Sequence, residues 1–277
     1  MLLSGIGVFG AVFAALLCGL TGSFHSTAWL WVLPLGFLGG VVLVSALVFF
    51  ILWLMCQAVD MHVQQEEDSP VYRRVAHLLV DAAITVFRIK IHTRGLEKTP
   101  KEGRFLLVCN HLNDTDPAFL LKHFPNSQLA FISKREVEGM FLIGKFMKKI
   151  LCQPINREND REALKTIIRC IQILKEDKAS IAVFPEGYIK GDNKLHRFRS
   201  GVFKIAQKAE VPIVVCTLQN TQTVLKNMKQ LKPIETHLHL LEVIPAEELK
   251  GVTAVDISNR VYKLMAEDLG PENVAEE

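Results

Sequence analysis

The sequence predicts an α/β fold preceded by a transmembrane helical hairpin, and three observations carry that prediction. Two charge-free apolar runs, Leu2 to Leu20 and Trp29 to Met55, open the chain. Each reaches the roughly 20 residues needed to cross about 30 Å of hydrocarbon. Beyond Pro70, short β-former runs alternate with stretches of helical period, the pattern of a mainly parallel sheet covered by helices. The charge is divided in the same way. All 32 Lys and Arg residues follow Tyr72 and only four of the 29 Asp and Glu precede it, so residues 73–277 carry +7 against +3 for the whole chain. The expected organisation is a hairpin over 1–58, a linker over 59–70 and an α/β domain over 71–277.

The hairpin turns at the short polar stretch Thr21 to Thr27, and Trp29, Trp31 and Trp53 suit the interfacial belts of a bilayer. The first run lacks the basic flank of a cleaved signal peptide and reads as an anchor. Gly36, Gly39 and Gly40 permit close helix packing. Arg73, Arg74, Arg88 and Lys90 follow the second helix while the turn has no Lys or Arg. The expectation is therefore an integral protein of the cell membrane with its body on the cytoplasmic side. Six singly scattered cysteines, most among apolar neighbours, fit a reduced compartment and show no metal-ligand spacing. The basic body favours anionic lipid or phosphorylated partners. Nucleic acid is not expected, because no aromatic-interleaved basic stretch occurs.

Val71 to Phe87 has helical period, with Val71, Val75, Leu78, Leu79, Ala82 and Val86 on one side and Arg73, Arg74 and Asp81 elsewhere. That stripe suits either the membrane interface or the sheet. Ile89 to Arg94 reads as a strand, and Arg104 to Leu107 as a buried strand running into a turn. Leu129 to Ser133 is a further strand, followed at once by Lys134. A helix is expected over Val137 to Leu151, its lysines Lys145, Lys148 and Lys149 among Phe and Met, suited to a membrane surface or to partial burial with snorkelling. Ile155-Asn156-Arg157 reads as loop. Asn159 or Asp160 caps a helix to about Lys175, with Leu164, Ile167, Ile168, Ile171 and Leu174 as its stripe. Ser180 to Phe184 is a strand, Ser200 to Lys208 a helix, Pro212 to Leu218 and Ile234 to Ile244 strands. Thr253 to Leu269 closes the chain as a helix, stopped by Gly270-Pro271.

The chemistry gathers where the strand ending at Leu107 enters Val108 to Pro117. Thr115 or Asp116 can cap a helix with Pro117 at its first position, which places His111 at a strand-to-helix turn of the kind where open α/β folds bind ligands. An imidazole whose Nδ1–H is held by Asp116 leaves Nε2 free to take a proton from a hydroxyl. Cys109 is adjacent and admits a Cys–His acyl-enzyme alternative, weakened by its place in the strand. His237-x-His239 lies in a strand pattern and reads as a solvated face, so no metal is expected.

Asn110-His111-x-x-x-x-Asp116, Ile155-Asn156-Arg157, Phe184-Pro185-Glu186-Gly187 and Val211-Pro212-Ile213-Val214 occur in this order. The set resembles the glycerolipid acyltransferase family typified by lysophosphatidic-acid acyltransferases, the 1-acylglycerol-3-phosphate O-acyltransferases, over roughly Phe87 to Leu249. The resemblance implies His111 as general base and Asp116 as its orienter. It also implies direct acyl transfer to a lysophosphatidic acid hydroxyl, giving phosphatidic acid in phospholipid biosynthesis. The acyl group comes from acyl-CoA or acyl carrier protein, a co-substrate thioester, with no cofactor. Arg157, Glu186 and Gly187 are implied at the acceptor's glycerol phosphate, and Lys134, Lys190 and Arg199 are further substrate-binding candidates. Arg157 can grip phosphate bidentately; Glu186 is expected to organise the site or meet hydroxyls rather than phosphate, since like charges repel.

The chain departs from the family pattern after Gly187. Members usually continue with Thr-Arg-Ser, whereas Tyr188-Ile189-Lys190 stands here, so Ile189 occupies the arginine position. Asn113 replaces a common Ser, and Phe198-Arg199-Ser200-Gly201 replaces Phe-Lys-Arg-Gly. These departures motivate a second reading, a different acceptor, either another lysophospholipid or glycerol-3-phosphate; a separate alternative is a non-catalytic lipid-binding membrane protein, against which the intact His111 and Asp116 argue.

Overall fold

The structure is a computed structural model that describes residues 1–230 and 232–276. The chain divides into two compact units, Met1–Val63 and Gln64–Glu277.

The first unit is an antiparallel pair, α1 (Leu2–Leu20) and α2 (Trp29–Gln57), both long and apolar enough to cross a membrane. At 1.5 Å per residue they measure about 28 and about 43 Å. Glycines set their approach. A Cβ on Gly36 would lie 3.1 Å from the Ala14 Cα, and one on Gly40 would lie 3.0 Å from the Gly10 Cα. Gly39, expected to share this role, faces open space. Large apolar side chains point outward, among them Leu16, Trp31 and Phe49.

Among the described residues the second unit is a seven-stranded sheet with helices on both faces. Its strands are β1 (Ile89–Arg94), β2 (Leu106–Cys109), β3 (Leu129–Lys134), β4 (Gln153–Ile155), β5 (Ser180–Val183), β6 (Ile213–Gln219) and β7 (Ile234–Ile244). The spatial order is β1-β7-β6-β2-β5-β3-β4, every neighbouring pair parallel except β6 and β7. The helices are α3 (Pro70–Val86), α4 (Asp116–His123), α5 (Phe141–Lys149), α6 (Asp160–Lys175), α7 (Lys204–Ala209), α8 (Val224–Lys229) and α9 (Ala254–Leu269).

Strand alternation sends successive side chains to opposite faces. Leu106 and Val108 join a core with residues of α6, α7 and α9, while Leu107 and Cys109 join a second core with α4 and the inner side of α3. The β2 and β5 side chains are buried on both faces, which is why these strands read as short unbroken apolar runs.

Several expectations are corrected. The helix expected over Val137 to Leu151 is broken: a 3-10 turn spans Arg135–Gly139, Met140 is extended, and α5 begins at Phe141. The 3-10 turn folds against Gly144, where a Cβ would lie 2.3 Å from the Glu138 carbonyl oxygen. Ile155 is not loop but the end of β4, an edge strand paired with β3. The helix expected from Ser200 starts as a 3-10 turn and becomes α-helical at Lys204. On α3 the sheet-facing residues are Tyr72, Ala76, Val80 and Ile84, whereas Val71, Leu78 and Val86, of the stripe expected to meet either the membrane interface or the sheet, lie exposed. Arg73, placed by pattern on the polar side, is buried: its guanidinium donates to Asp68 and to the Leu129 and Ile150 carbonyls.

Candidate active site

Four adjacent parallel strands, β2, β5, β3 and β4, deliver their carboxyl ends to one rim of the sheet. His111 follows β2, Glu186 follows β5, Lys134 ends β3, and Arg157 stands two residues past β4. Ligand sites of open α/β sheets lie at this rim because strands end there and turns expose main-chain and side-chain groups.

Asn110 fixes where β2 stops. Buried, its side-chain amide donates to the Leu218 carbonyl (2.9 Å) and its side-chain carbonyl accepts from the Leu218 N–H (2.7 Å). The side chain thus replaces one rung of the β2–β6 ladder and lets the main chain turn away at His111. The imidazole is mostly covered, its side chain 12% exposed, and stacks on Phe184 with ring centroids 4.1 Å apart.

His111 Nδ1 lies 2.9 Å from Asp116 Oδ2. Asp116 is fully buried at the first turn of α4, where a carboxylate is favoured by the helix dipole. Of the two cap candidates Thr115 holds the cap position, though its side chain makes no capping bond among the described residues. Asp116 Oδ2 instead accepts the Leu112 and Asn113 N–H groups at 2.7 and 2.9 Å. A carboxylate held this way takes the Nδ1–H of a neutral imidazole and leaves Nε2 as a proton acceptor.

Glu186 is buried, and both of its oxygens are engaged by main chain. Oε1 accepts from the His111 N–H at 2.9 Å and Oε2 from the His196 N–H at 3.0 Å. Burial pushes its carboxyl up to about 7, with the two N–H donors pulling the other way and Asp116 adding to the rise. Gly187, at φ 85°, makes the turn that follows. A Cβ there would sit 3.0 Å from the Arg199 Nε, so the Arg199 side chain lies against it.

The cationic candidates divide. Arg199 donates its N–H to the Pro185 carbonyl, tying it to the turn after β5. Arg157 is partly buried, and its guanidinium pKa is lowered first by burial and then by Arg199, with Glu136 opposing. Two arginines near one another on the same rim suit an anion. The strand carrying His111 is three strand spacings from β4, about 14 Å. Lys134 faces solvent, opposite Ile155 in the β3–β4 register. Lys190 is directed elsewhere: its ammonium donates to His196 Nδ1 (3.1 Å) and lies over the Tyr188 ring, and His196 Nε2 meets Asp192 at 2.8 Å.

Cys109 is fully buried and its thiol is pushed well above its usual range by burial, with Cys216, Asp116 and Glu186 adding to it. A thiolate nucleophile is disfavoured there. His239 Nδ1 bonds to Asp268 on α9, and His237 stacks on His92. Sequence reasoning assigned no role to Asn110, Phe184 and His196. Asn110 carries a signal, a polar side chain immediately after a buried strand; the Phe184 stacking and the His196 N–H have none, because both depend on loops meeting in space.

Residues 90–219 match a family model described as Acyltransferase. The chain is 32% identical over 158 residues to a probable 1-acyl-sn-glycerol-3-phosphate acyltransferase of Mycoplasma pneumoniae, covering 56% of this chain and 58% of that protein. It is 32% identical over 155 residues to the chloroplastic 1-acyl-sn-glycerol-3-phosphate acyltransferase LPAT1 of Arabidopsis thaliana, covering 54% and 43%. Against the Saccharomyces cerevisiae 1-acyl-sn-glycerol-3-phosphate acyltransferase it is 24% identical over 247 residues, covering 84% and 66%. The chain spans about half the length of the curated relatives it matches. The fold is that of the Thermotoga maritima 1-acyl-sn-glycerophosphate (LPA) acyltransferase PlsC, known from a crystal structure, with a TM-score of 0.60 at 20% identity over 71% of this chain and 78% of that one.

Proposed function

We propose that the chain acylates lysophosphatidic acid to phosphatidic acid, a reading supported by the match of residues 90–219 to the Acyltransferase model and by the relatives' likeness over that stretch. The observation that carries this reading is the 2.9 Å contact between His111 Nδ1 and Asp116 Oδ2 on the same rim as the Arg157–Arg199 pair.

In the proposed reaction the acceptor's free hydroxyl gives its proton to His111 Nε2 as its oxygen attacks the thioester carbonyl of acyl-CoA or acyl carrier protein. Asp116 holds the ring and stabilises the imidazolium that forms. Collapse of the tetrahedral intermediate breaks the C–S bond, and the imidazolium returns the proton to the departing thiolate. The ester and a free thiol result, with no covalent enzyme intermediate. Arg157 and Arg199 hold the acceptor phosphate, Lys134 adds positive potential, and Glu186 acts as a positioning residue through the His111 and His196 main chain. Because the chain spans part of its relatives, donor, acceptor and a role in phospholipid biosynthesis all belong to this proposal, as do membrane insertion through α1 and α2 and a cytoplasmic site.

The test is transfer of radiolabelled acyl groups from each thioester to lysophosphatidate by the purified full chain. Full activity in His111→Ala would reject the mechanism. A second reading, another lysophospholipid or glycerol-3-phosphate as acceptor, is favoured by Ile189 standing where an arginine is usual, while the neighbouring Lys190 turns toward His196. A panel of acceptors decides between them: a clear preference for lysophosphatidate rejects the second.

A further inference from the structure

A groove of about 440 Å³ lies on the second unit between α5 and α6, and none of His111, Asp116, Arg157 or Glu186 lines it. Its walls carry three cations, Lys148 from α5 and Lys165 and Arg169 from α6, against one lining carboxylate, the exposed Glu138. Lys165 has no ion pair or hydrogen bond among the described residues. Arg169 is 14% exposed and uses its terminal nitrogen on Glu66 and on the Gln65 carbonyl, while its buried Nε has no partner among the described residues. A buried donor without an acceptor is costly, and an acceptor brought by a ligand removes that cost.

Apolar side chains also reach the groove. Val137, Met147, Pro154 and Ile168 share its lining. Ile168 is 47% exposed; Leu164, one turn before it on α6, is 57% exposed, and Ile143, one turn before the lining Met147 on α5, is 46% exposed. Cations beside exposed aliphatic side chains match an anionic head carrying a hydrocarbon tail better than a free inorganic anion, which leaves the aliphatic side chains in water.

We propose that the groove between α5 and α6 is a second binding site, separate from the His111 site, for the phosphate headgroup of an anionic glycerophospholipid. Lys165 and Arg169 meet the phosphate, and the acyl chains lie over Ile143, Leu164 and Ile168.

The test uses the full chain in a neutral detergent, with dihexanoyl phosphatidic acid as probe and isothermal calorimetry as readout. Arg157→Ala/Arg199→Ala removes the other phosphate contacts, so that binding retained in this background is read at the groove whatever the chain catalyses. On it, Lys165→Glu weakens the probe by about tenfold or more, and Gln172→Glu, also on the groove wall, shifts affinity the same way. Lys175→Glu makes the same charge change on α6 outside the groove and changes affinity by less than about twofold. Equal affinity in Lys165→Glu and Lys175→Glu overturns the proposal. So does inorganic phosphate binding as tightly as the lipid, which assigns the groove to a free anion. Acyl transfer at saturating lysophosphatidate is unchanged in Lys165→Glu alone; its loss would place the groove on the substrate path and overturn a separate site.

Discussion

The carboxylate of Glu186 is bonded to the main-chain N–H of His111 at 2.9 Å, so the residue that fixes the histidine's backbone comes from a different strand, 75 positions along the chain. Its other oxygen holds the His196 N–H. One buried side chain therefore joins the turn after β2 to the loop after β5.

That carboxyl titrates near 7 in the folded chain against an ordinary 4.5, because burial disfavours the charged form. A raised acid pKa means that the folded state holds the extra proton between these values. The stability it contributes is full below about pH 4.5 and is lost as the pH rises through about 7. The loss is on the order of 3 kcal/mol. Glu186→Gln should flatten this part of the curve, measured as unfolding midpoints at pH 5 and 8. An unaltered slope in the variant would show that another group sets it.

Asp116→Asn should lower kcat by about 10²- to 10⁴-fold with little change in acceptor KM. The amide can still face the ring, but it cannot accept from Nδ1–H and the Leu112 and Asn113 N–H groups as a charged oxygen does. His111→Ala should fall at least as far. Wild-type rates in Asp116→Asn would remove the orienting role.

Arg157→Ala should raise the acceptor KM more than it lowers kcat, and Arg157→Lys should recover only part, since an ammonium lacks the planar fork. Arg199→Ala should act in the same direction. Steady-state kinetics with lysophosphatidate at varied concentration reads both. An unchanged KM in the double variant would place the phosphate elsewhere.

Arg73→Met leaves Asp68, 7% exposed, without its partner and frees the Leu129 and Ile150 carbonyls. Breaking a buried pair on one side costs about 3–5 kcal/mol, so this variant should unfold at clearly lower denaturant. Asp68→Leu added to it should recover much of the loss. Equal stability of Arg73→Met and wild type would refute the pairing's role.

The parts of the fold legible in the sequence are those with long, one-sided patterns. β7 runs the predicted Ile234–Ile244, and α6 starts where Asn159 caps it, its side chain accepting the Arg161 and Glu162 N–H groups. Strand β4 was hidden because three residues with a central Pro154 carry no pattern, and proline is tolerated there only at a sheet edge. On α3 both sides are apolar, so periodicity could not choose the sheet-facing one, and the buried Arg73 reverses the usual meaning of a charge. The Glu138-Gly139-Met140 break in the expected helix depends on the close approach at Gly144, which sequence spacing does not contain. At the site, the His111–Asp116 pair is a local relationship and was readable; the tie from Glu186 to main-chain N–H groups is not, because any residue at 111 or 196 other than proline would offer the same donor.

The Asn110–Leu218 bonds have a consequence for synthesis. They close a loop of 108 positions, so the frame that turns His111 out of its strand is incomplete until β6 has been made and docked. Such non-local pairings form late because loop closure precedes their reward. A chain stalled on the ribosome short of residue 219 possesses the dyad's residues without their support. Limited proteolysis of stalled chains of increasing length should find the 108–117 turn cleavable until β6 has emerged, and activity should arise as a step at that length. Early protection of the turn would contradict this order of assembly.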